Sequence, residues 1–450
     1  MHTTKAPKYK EGPWWSRTRP FFNNPIEFSR IQSATYGPIF ETPFPFKKVF
    51  VVCGSEEIQQ VLQAQHKRYV KSPFYNALKL ALGNGLLTSE GDFWKHQRKL
   101  VQPAFYKSAL DGLFVAMQEE SISFVEDLKK RTSQETHFDL SKEMMRVTAN
   151  IVLQTLFSSD TELGREEMYR MMVSLQEYVM MRALQPYKFP IALINGTHRQ
   201  FIKDRRMIND SLYKIIDERL NQKDPVHDLL SLMVFAEDSE SGQRMSREAV
   251  RDELITLFAA GHETSANALT WTLFLLGRNP DKKVRLLEEI DSVLAGRTPK
   301  MEDLFRMPYT RAVIEEGMRL YPPAYAVGRM AAFDTEIGGF EVPKDSIIYL
   351  SIYALHRDPK IFESPDAFQP ERFLPDAPDI PKNAYIPFGF GPRKCVGYQF
   401  AMMEMQLLLP MLVQSFNFKF PDKTPENQIL ITLRPKGGMP VEIEKRILNS

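Results

Sequence analysis

The chain contains very few cysteines, with only Cys53 and Cys395 among its 450 residues. Two cysteines exclude a disulfide framework, although one bond between them stays open. Such sparing use suits a reducing compartment, so we expect a cytoplasmic protein. Long apolar runs are also missing. No window reaches the roughly 18 uninterrupted apolar residues of a membrane-spanning helix, and the polar N-terminus lacks the apolar core of a signal peptide.

An excess of charge of either sign is absent too. Lys and Arg total 58 against 56 for Asp and Glu, a net charge of +2. This balance argues against a nucleic-acid or anionic-membrane partner for the chain as a whole. We find no internal repeat, no glycine-rich phosphate loop between a strand and a helix, and no paired-cysteine zinc spacing. Nucleotide-binding and zinc-finger classes are therefore disfavoured.

Helical periodicity dominates what is present. Hydrophobic residues make up 43% of the chain, and over long stretches they recur every three or four residues, as in amphipathic helices. Strand-like alternation occurs in 34–70 and 321–351, which we expect to form one β-rich lobe. The end of the chain, 429–444, is predicted to form a terminal hairpin dipping toward the pocket. Residues 1–33 are expected to form an N-terminal arm. No linker divides the chain, so we predict one mainly α unit over 1–450.

One loop stands out chemically. Residues 387–401 form a glycine- and proline-broken loop that delivers Cys395 to the start of a predicted helix extending to 416. Free N–H groups at a helix start stabilise an anion, which predicts a lowered pKa and a metal-binding thiolate. Gly389, Gly391 and Gly397 leave room for a flat cofactor, and Arg393 is placed to pair with an acidic group on it.

This loop resembles the haem-binding loop of the cytochrome P450 family. The family pattern is filled by Phe388, Gly391, Arg393, Cys395 and Gly397. The resemblance implies heme b, that is iron protoporphyrin IX, with Cys395 as the metal ligand. It also implies the cytochrome P450 fold, in which a large helical lobe with a long central helix joins a small discontinuous β-rich lobe. The competing interpretation is a buried structural cysteine in a turn.

The longest helical pattern, 246–278, carries a second motif. Gly261 weakens a helix interior by about 1 kcal/mol relative to alanine. Thr264 is spaced to turn its hydroxyl onto the carbonyl of Ala260, which bends helices. The resemblance implies that Ala260, Gly261, Glu263 and Thr264 form the oxygen-binding groove, with the acid and the alcohol guiding protons. The alternative is an ordinary buried helix.

Two further sets of residues follow from the resemblance. It implies that Trp94, Arg98 and Arg329, together with Phe388, Gly389 and Arg393, hold the cofactor. It also implies that Glu316, Arg319 and Arg372 form a buried charge triad that braces the cysteine loop. Taken alone, Glu316 and Arg319 have the spacing of a solvated i,i+3 ion pair.

The activity implied is a haem-thiolate monooxygenase that hydroxylates or oxidatively dealkylates a small organic substrate, for example by O-demethylation. Electrons would come from NAD(P)H through a separate reductase and a ferredoxin or flavodoxin, and we expect a monomer. Basic residues for that partner are Lys95, Arg98, Lys99, Arg393 and Lys394. The alternatives are a haem-thiolate isomerase or dehydratase, for which the acid–alcohol pair is superfluous, and a non-enzymatic haem sensor or electron carrier.

The substrate stays open between fatty acids, terpenoids and small polar ethers such as methylated sugars. Family position implies ten wall residues of mixed character: Phe74, Tyr75, Leu86, Leu87, Met172, Gln176, Tyr178, Met181, His262 and Tyr325.

Overall fold

The computed structural model describes residues 4–13, 16–44, 47–158, 164–222 and 226–446. Trp14 and Trp15, which belong to the predicted N-terminal arm, lie outside these ranges. The sixteen α-helices in the described ranges are α1 (Arg19–Asn23), α2 (Pro25–Tyr36), α3 (Ser55–Gln59), α4 (Phe74–Leu82), α5 (Gly91–Val101), α6 (Lys107–Arg131), α7 (Leu140–Phe157), α8 (Arg165–Leu184), α9 (Phe189–Ile194), α10 (Thr197–Leu220), α11 (Leu229–Val234), α12 (Arg247–Arg278), α13 (Pro280–Leu294), α14 (Pro308–Leu320), α15 (Ile352–Leu355) and α16 (Tyr398–Ser415).

Strands are few and short. Those in the described ranges are β1 (Ile39–Thr42), β2 (Val49–Val52), β3 (Tyr69–Lys71), β4 (His137–Asp139), β5 (Ala326–Ala331), β6 (Thr335–Ile337), β7 (Phe340–Val342), β8 (Ile347–Ser351), β9 (Phe416–Lys419), β10 (Asn427–Ile429), β11 (Leu433–Pro435) and β12 (Pro440–Lys445). The prediction of a mainly helical fold with a small β-rich region is confirmed.

The central helix α12 runs for 32 residues, about 48 Å at 1.5 Å per residue. The Ser246 side chain caps its start by accepting a hydrogen bond from the Ala249 amide. From Ala266 to Leu276 every residue is buried, so this half is enclosed on all sides. The helix packs most extensively on α7 and also contacts α14 and α16, which places it through the middle of the helical lobe.

The largest sheet has the strand order β1-β2-β8-β5-β3. It combines strands from 39–71 with strands from 326–351, joined by the parallel pairing of β2 with β8 and the antiparallel pairings of β8 with β5 and β5 with β3. Its apolar face forms a core separate from that of the helices. Strand β5 thereby carries Arg329 to the boundary between the two lobes.

The N-terminal segment lies on this β-rich lobe. Thr4 and Lys8 form isolated bridges with Phe340 and Glu41, and Tyr9 is buried against Phe28. Helix α2 buries Ile26 completely. Part of the predicted arm is thus built into the core.

Candidate functional site

A cavity of about 410 Å³ lies between α12 and the loop that carries Cys395. Cys395, Val396 and Gly397 line one side, while Ala260 and Thr264 line the other. The walls are mostly apolar. The cavity therefore combines a thiol, an apolar enclosure and a few polar groups, which is the usual make-up of a small-molecule site.

The cysteine loop owes its shape to two glycines. Gly389 and Gly391 have φ angles of +74° and +70°, a region that side chains disfavour. A Cβ on Gly391 would stand 2.2 Å from the carbonyl oxygen of Leu62, so the loop lies directly on the neighbouring backbone. The Cys395 amide donates to the Phe388 carbonyl at 2.9 Å, which closes the loop. Cys395 is presented to the cavity as a result.

The electrostatic prediction for this thiol was wrong. Helix α16 begins at Tyr398, after Cys395 rather than at it. Desolvation by the surrounding protein raises the pKa of Cys395, although the residue is exposed to the cavity, and outweighs the opposing effects of the Gly397 amide, Arg98 and Lys394. A bound metal deprotonates a coordinating thiol by its own charge.

Cations collect at the opposite edge of the cavity. Trp94, Arg98, Arg329 and Arg393 all border it. The Arg393 guanidinium lies 3.8 Å from the centre of the Trp94 ring and donates to the Ser89 carbonyl at 2.8 Å. Burial and the charge of Arg329 lower the pKa of Arg393 to about 10.

Lys71 belongs to the same edge and was missed by the sequence reasoning. Its Nζ donates to the carbonyls of Leu86 and Leu87. Burial, then Arg393 and Arg329, lower its pKa to about 6. Lys71 is the last residue of the three-residue strand β3. So short a segment shows no periodic pattern, and the sequence contained no signal that singled this lysine out.

These residues fit a haem. Four cationic residues border the cavity: Lys71, Arg98, Arg329 and Arg393. The carboxylate of Glu90 opposes the lowering of the pKa of Lys71 and of Arg393. The charges of Arg393 and Arg329 lower the pKa of Lys71, and that of Arg329 lowers the pKa of Arg393, so positive charge exceeds negative charge in this cluster. The two propionates of a haem would balance it, and Cys395 would supply the thiolate ligand. Arg98 also donates to the Lys394 carbonyl at 2.9 Å and so ties the cationic edge to the cysteine loop.

The groove of α12 has the geometry that its spacing predicts. Thr264 Oγ1 donates to the Ala260 carbonyl at 2.7 Å, four residues back in the helix. Gly261 keeps α7 close, since a Cβ there would lie 3.2 Å from Val152. Ala260, Gly261, Glu263 and Thr264 all line the cavity.

Glu263 has a partner from the far end of the chain. Thr432, at the tip of the β10–β11 hairpin, donates its hydroxyl to Glu263 Oε1 at 2.5 Å. Asn267 Nδ2 donates to the same Thr432 Oγ1 at 3.0 Å. The sequence predicted a terminal hairpin dipping toward the pocket, but contained no signal that singled out Thr432.

The predicted charge triad comes together in the structure. Arg319 donates to both carboxylate oxygens of Glu316, at 2.6 and 2.8 Å, and both residues are completely buried. Arg372 lies 3.6 Å from the same carboxylate. Arg319 also donates to the carbonyls of His356, Pro365 and Ala367. The triad thus fastens α14 to the segment that leads into the cysteine loop.

Half of the predicted wall residues line the cavity: Phe74, Tyr75, Leu86, Leu87 and Gln176. Five others, namely Met172, Tyr178, Met181, His262 and Tyr325, do not line it. His262 is turned into the core, where it stacks on Phe258 and bonds its carbonyl. Tyr178 stacks on Phe201 of α10, Tyr325 bonds the Leu430 carbonyl, and the two methionines pack in the helical core. These five residues belong to segments that supply other lining residues, but position along the chain did not determine which way each side chain points.

Several lining residues were not predicted. They come from α7, α8, α11, the first half of α12 and the terminal hairpin: Val152, Leu156, Val179, Leu229, Thr256, Leu257, Ile431 and Thr432. Each has an unremarkable helical or strand pattern. Only their convergence in space makes them a wall.

Comparison with known proteins identifies the family. The Cytochrome P450 family model matches residues 12–441. Cyclooctatin synthase from Streptomyces melanosporofaciens is 34% identical over 422 residues, covering 92% of this chain and 91% of the relative. Cyclooctat-9-en-7-ol 5-monooxygenase from the same organism is 29% identical, covering 97% of this chain and 96% of the relative.

A solved structure, the crystal structure of cytochrome P450DA heme domain, has the same fold. Its TM-score is 0.89 at 24% identity, over 99% of this chain and 98% of that one. No described helix is long and apolar enough to cross a membrane. With the family model extending over nearly the whole chain, this protein belongs to the cytochrome P450 family and is a haem-thiolate monooxygenase.

Proposed function

We propose that this monooxygenase hydroxylates a mainly hydrocarbon small molecule of the terpenoid alcohol class. The observation that carries the proposal is the apolar wall of the cavity, which includes Phe74, Leu82, Leu87, Val152 and Leu257. The hydrogen-bonding side chains that α12 brings to the cavity are few: Thr256, Glu263, Thr264 and Ser265. The names of the two Streptomyces relatives, cyclooctatin synthase and cyclooctat-9-en-7-ol 5-monooxygenase, favour a hydrocarbon alcohol as the substrate.

The proposed roles of the residues follow from their positions. When bound through Cys395, haem supplies the reduction of O₂ and cleavage of the O–O bond. Arg98, Arg329 and Arg393 hold its acidic edge. Thr264 orients a proton donor beside the groove, and Glu263 passes protons to it. The apolar wall excludes bulk water, which limits unproductive proton transfer.

A polar ether such as a methylated sugar is a weaker candidate, because the wall offers few partners for its hydroxyl groups. Oxidative dealkylation of an apolar ether needs the same C–H attack as hydroxylation. The products separate the two reactions, since dealkylation releases an aldehyde.

We further propose that an acidic ferredoxin or flavodoxin supplies the electrons, from NAD(P)H through a separate reductase. Two of the predicted basic residues are already neutralised: Lys95 pairs with Asp92 at 2.7 Å, and Lys99 pairs with Asp238 at 3.0 Å. Lys394 is exposed beside Cys395, with its Nζ over the Tyr398 ring. Arg311 donates to the Tyr398 hydroxyl but also pairs with Glu315 at 3.3 Å. Lys394 therefore favours this face for the donor.

We also propose a cytoplasmic monomer. Both cysteines are free thiols, which suits a reducing compartment. Sedimentation at increasing protein concentration tests the oligomeric state, and fractionation of the native cells tests the location.

The substrate proposal is tested by spectral titration of the haem-loaded protein with a C20 terpenoid alcohol, a fatty acid and a methylated sugar. We expect the tightest binding for the terpenoid alcohol, and with ¹⁸O₂ and a donor system we expect one labelled hydroxyl in its product. Leu87→Trp should weaken this binding at least tenfold by filling the cavity. Leu220→Trp, on the exposed surface of α10, is the matched control. Preference for the sugar, or equal binding by both variants, would contradict the proposal.

A further inference from the structure

We propose that Thr432 is a positioning residue for Glu263, so that the C-terminal hairpin sets the direction of proton delivery at the groove. The inference rests on the proposed role of Glu263. Thr432 is separated from Glu263 by 169 residues along the chain, yet its hydroxyl hydrogen-bonds Glu263 Oε1. Both residues are nearly buried, at 4% and 7% exposure, so water competes little for this contact.

The direction of the hydrogen bonds follows from the donor count. A threonine hydroxyl has one proton to donate and can also accept. Asn267 Nδ2 has only protons to donate, so it occupies an acceptor site on Thr432 Oγ1. The single hydroxyl proton therefore points to Glu263. This series of hydrogen bonds, from Asn267 to Thr432 and from Thr432 to Glu263, ends on the carboxylate and holds it from one side.

This leaves the other carboxylate oxygen available. No described residue donates a hydrogen bond to Glu263 Oε2 in the structure, and Glu263 borders the cavity beside Thr264. A carboxylate held at Oε1 and open at Oε2 can exchange protons on the cavity side only. Without the Thr432 hydroxyl, the carboxylate can rotate or turn Oε1 toward another donor, and its alignment with Thr264 is lost.

The hairpin is anchored well enough to hold the acid. The Tyr325 hydroxyl donates to the Leu430 carbonyl at 2.6 Å, and the Leu433 amide donates to the Pro323 carbonyl at 3.0 Å. These bonds fix the residues on both sides of the tip. Ile431 and Thr432 also line the cavity, so the same turn contacts the substrate space and the acid.

The test uses the haem-loaded enzyme with oxygen as the only substrate, so it does not depend on the natural ligand. Spinach ferredoxin and its reductase supply electrons from NADPH. Two electrons and two protons convert O₂ to hydrogen peroxide, whereas four electrons and four protons convert it to two waters. The share of peroxide per NADPH consumed therefore reports how well protons are delivered. Reactions without the enzyme correct for peroxide made by the donor proteins.

We expect Thr432→Val and Glu263→Gln each to raise the peroxide share at least twofold, and Thr432→Ser to restore the wild-type share by returning the hydroxyl. Thr270→Val is the matched control. Thr270 is buried in α12, the helix that carries Glu263, and its hydroxyl donates to the Ala266 carbonyl of the same helix. If Glu263→Gln raises peroxide but Thr432→Val does not, the positioning role is wrong while the role of Glu263 stands. If Glu263→Gln matches wild type, the proposed role of Glu263 falls and this inference falls with it.

A second readout requires no turnover. Hydrogen–deuterium exchange over residues 427–435 should rise in Thr432→Val, which removes the donor of this hydrogen bond, and should stay at the wild-type level in Thr432→Ser and Thr270→Val. Unchanged exchange in Thr432→Val would overturn the contact itself.

Discussion

The two cysteines of the chain show how surroundings decide the role of one residue type. Cys53 is buried in the β-rich lobe, and desolvation raises its pKa far above the ordinary range. Its Sγ lies against the Ser29 carbonyl. Cys395 instead opens onto a cavity bordered by cations. Buried apolar surroundings make a cysteine inert, whereas access to a cofactor makes it a ligand.

This contrast makes a prediction for Cys395→Ala. The reduced, carbon monoxide-treated protein should lose the long-wavelength absorption typical of thiolate-ligated haem. Cys53→Ala should keep it, because Cys53 does not border the cavity. Persistence of the band in Cys395→Ala would contradict the assignment of Cys395.

Glu404 is a second informative residue. It is completely buried in α16, and burial raises its pKa to about 8, an effect that Ser265 offsets only in part. The folded protein therefore holds this proton between the ordinary pKa and about 8, while the unfolded chain releases it. The stabilisation is full below the unfolded pKa and is lost as pH rises through this window.

We accordingly expect Glu404 to lower the free energy of unfolding by about 1.4 kcal/mol per pH unit across this window. Glu404→Gln should remove that contribution, so the difference in stability between variant and wild type should grow from pH 5 to pH 8 in urea unfolding. Parallel pH profiles would show that Glu404 is not protonated in the folded state.

At the scale of elements, the cysteine loop depends on one close approach. Gly391→Ala would bring a Cβ within 2.2 Å of the Leu62 carbonyl oxygen, a backbone atom that cannot move aside cheaply. Gly437 has a similar φ of +79° but no atom within 4 Å of the same Cβ position, so Gly437→Ala is a control for backbone strain alone.

We expect Gly391→Ala to destabilise the protein by about 2 kcal/mol more than Gly437→Ala, in the range of overpacking effects. Its haem content should fall as well, because the displaced loop carries Cys395. Haem-to-protein ratios and thermal unfolding of the two variants provide the comparison. Equal losses would indicate that only the φ angle matters.

The charge triad joins α14 to the segment before the cysteine loop. Arg319→Met leaves Glu316 charged and buried with only Arg372, at 3.6 Å, as a cationic partner. Removing one member of a buried pair typically costs about 3–5 kcal/mol. Arg244→Met, which breaks an exposed pair with Glu237 at 3.1 Å, should cost less than about 1 kcal/mol. Denaturant unfolding of both variants tests this, and similar costs would contradict a structural role for the triad.

At the scale of the whole molecule, the site lies where two lobes meet. The central helix contributes the groove, the β-rich lobe contributes Arg329, and the helical lobe contributes Trp94 and Arg98. Net charge is close to zero, so any attraction for an electron donor must come from a local patch. Lys95, Lys99 and Arg311 are paired with carboxylates of the same chain, which leaves Lys394 as the candidate cation of that patch.

Lys394→Glu should therefore slow reduction of the haem protein by an acidic ferredoxin about tenfold at low salt, and the difference should shrink at high ionic strength. Lys344→Glu, an exposed lysine of the β-rich lobe, makes the same charge change elsewhere. Stopped-flow reduction measures both. A similar slowing by Lys344→Glu would place the donor elsewhere or show that only net charge matters.

The sequence by itself determined what depends on short-range spacing. The cysteine loop is one contiguous motif, the Thr264 bond to Ala260 follows from a four-residue interval, and the Glu316–Arg319 pair follows from three. Helical periodicity was enough for the fold class, because burial of apolar faces drives these helices together. Local geometry is the same in any context, so these features can be read without the fold.

Tertiary structure alone decided what depends on distant segments. It brought Thr432 to Glu263 and Lys71 to Arg393, and it turned His262 and Tyr178 away from the cavity while leaving Thr264 in it. It also reversed the expected pKa direction of Cys395, because desolvation is set by everything packed around Sγ and not by position along the chain. Side-chain direction and burial are properties of the assembled core, and no interval in the sequence contains them.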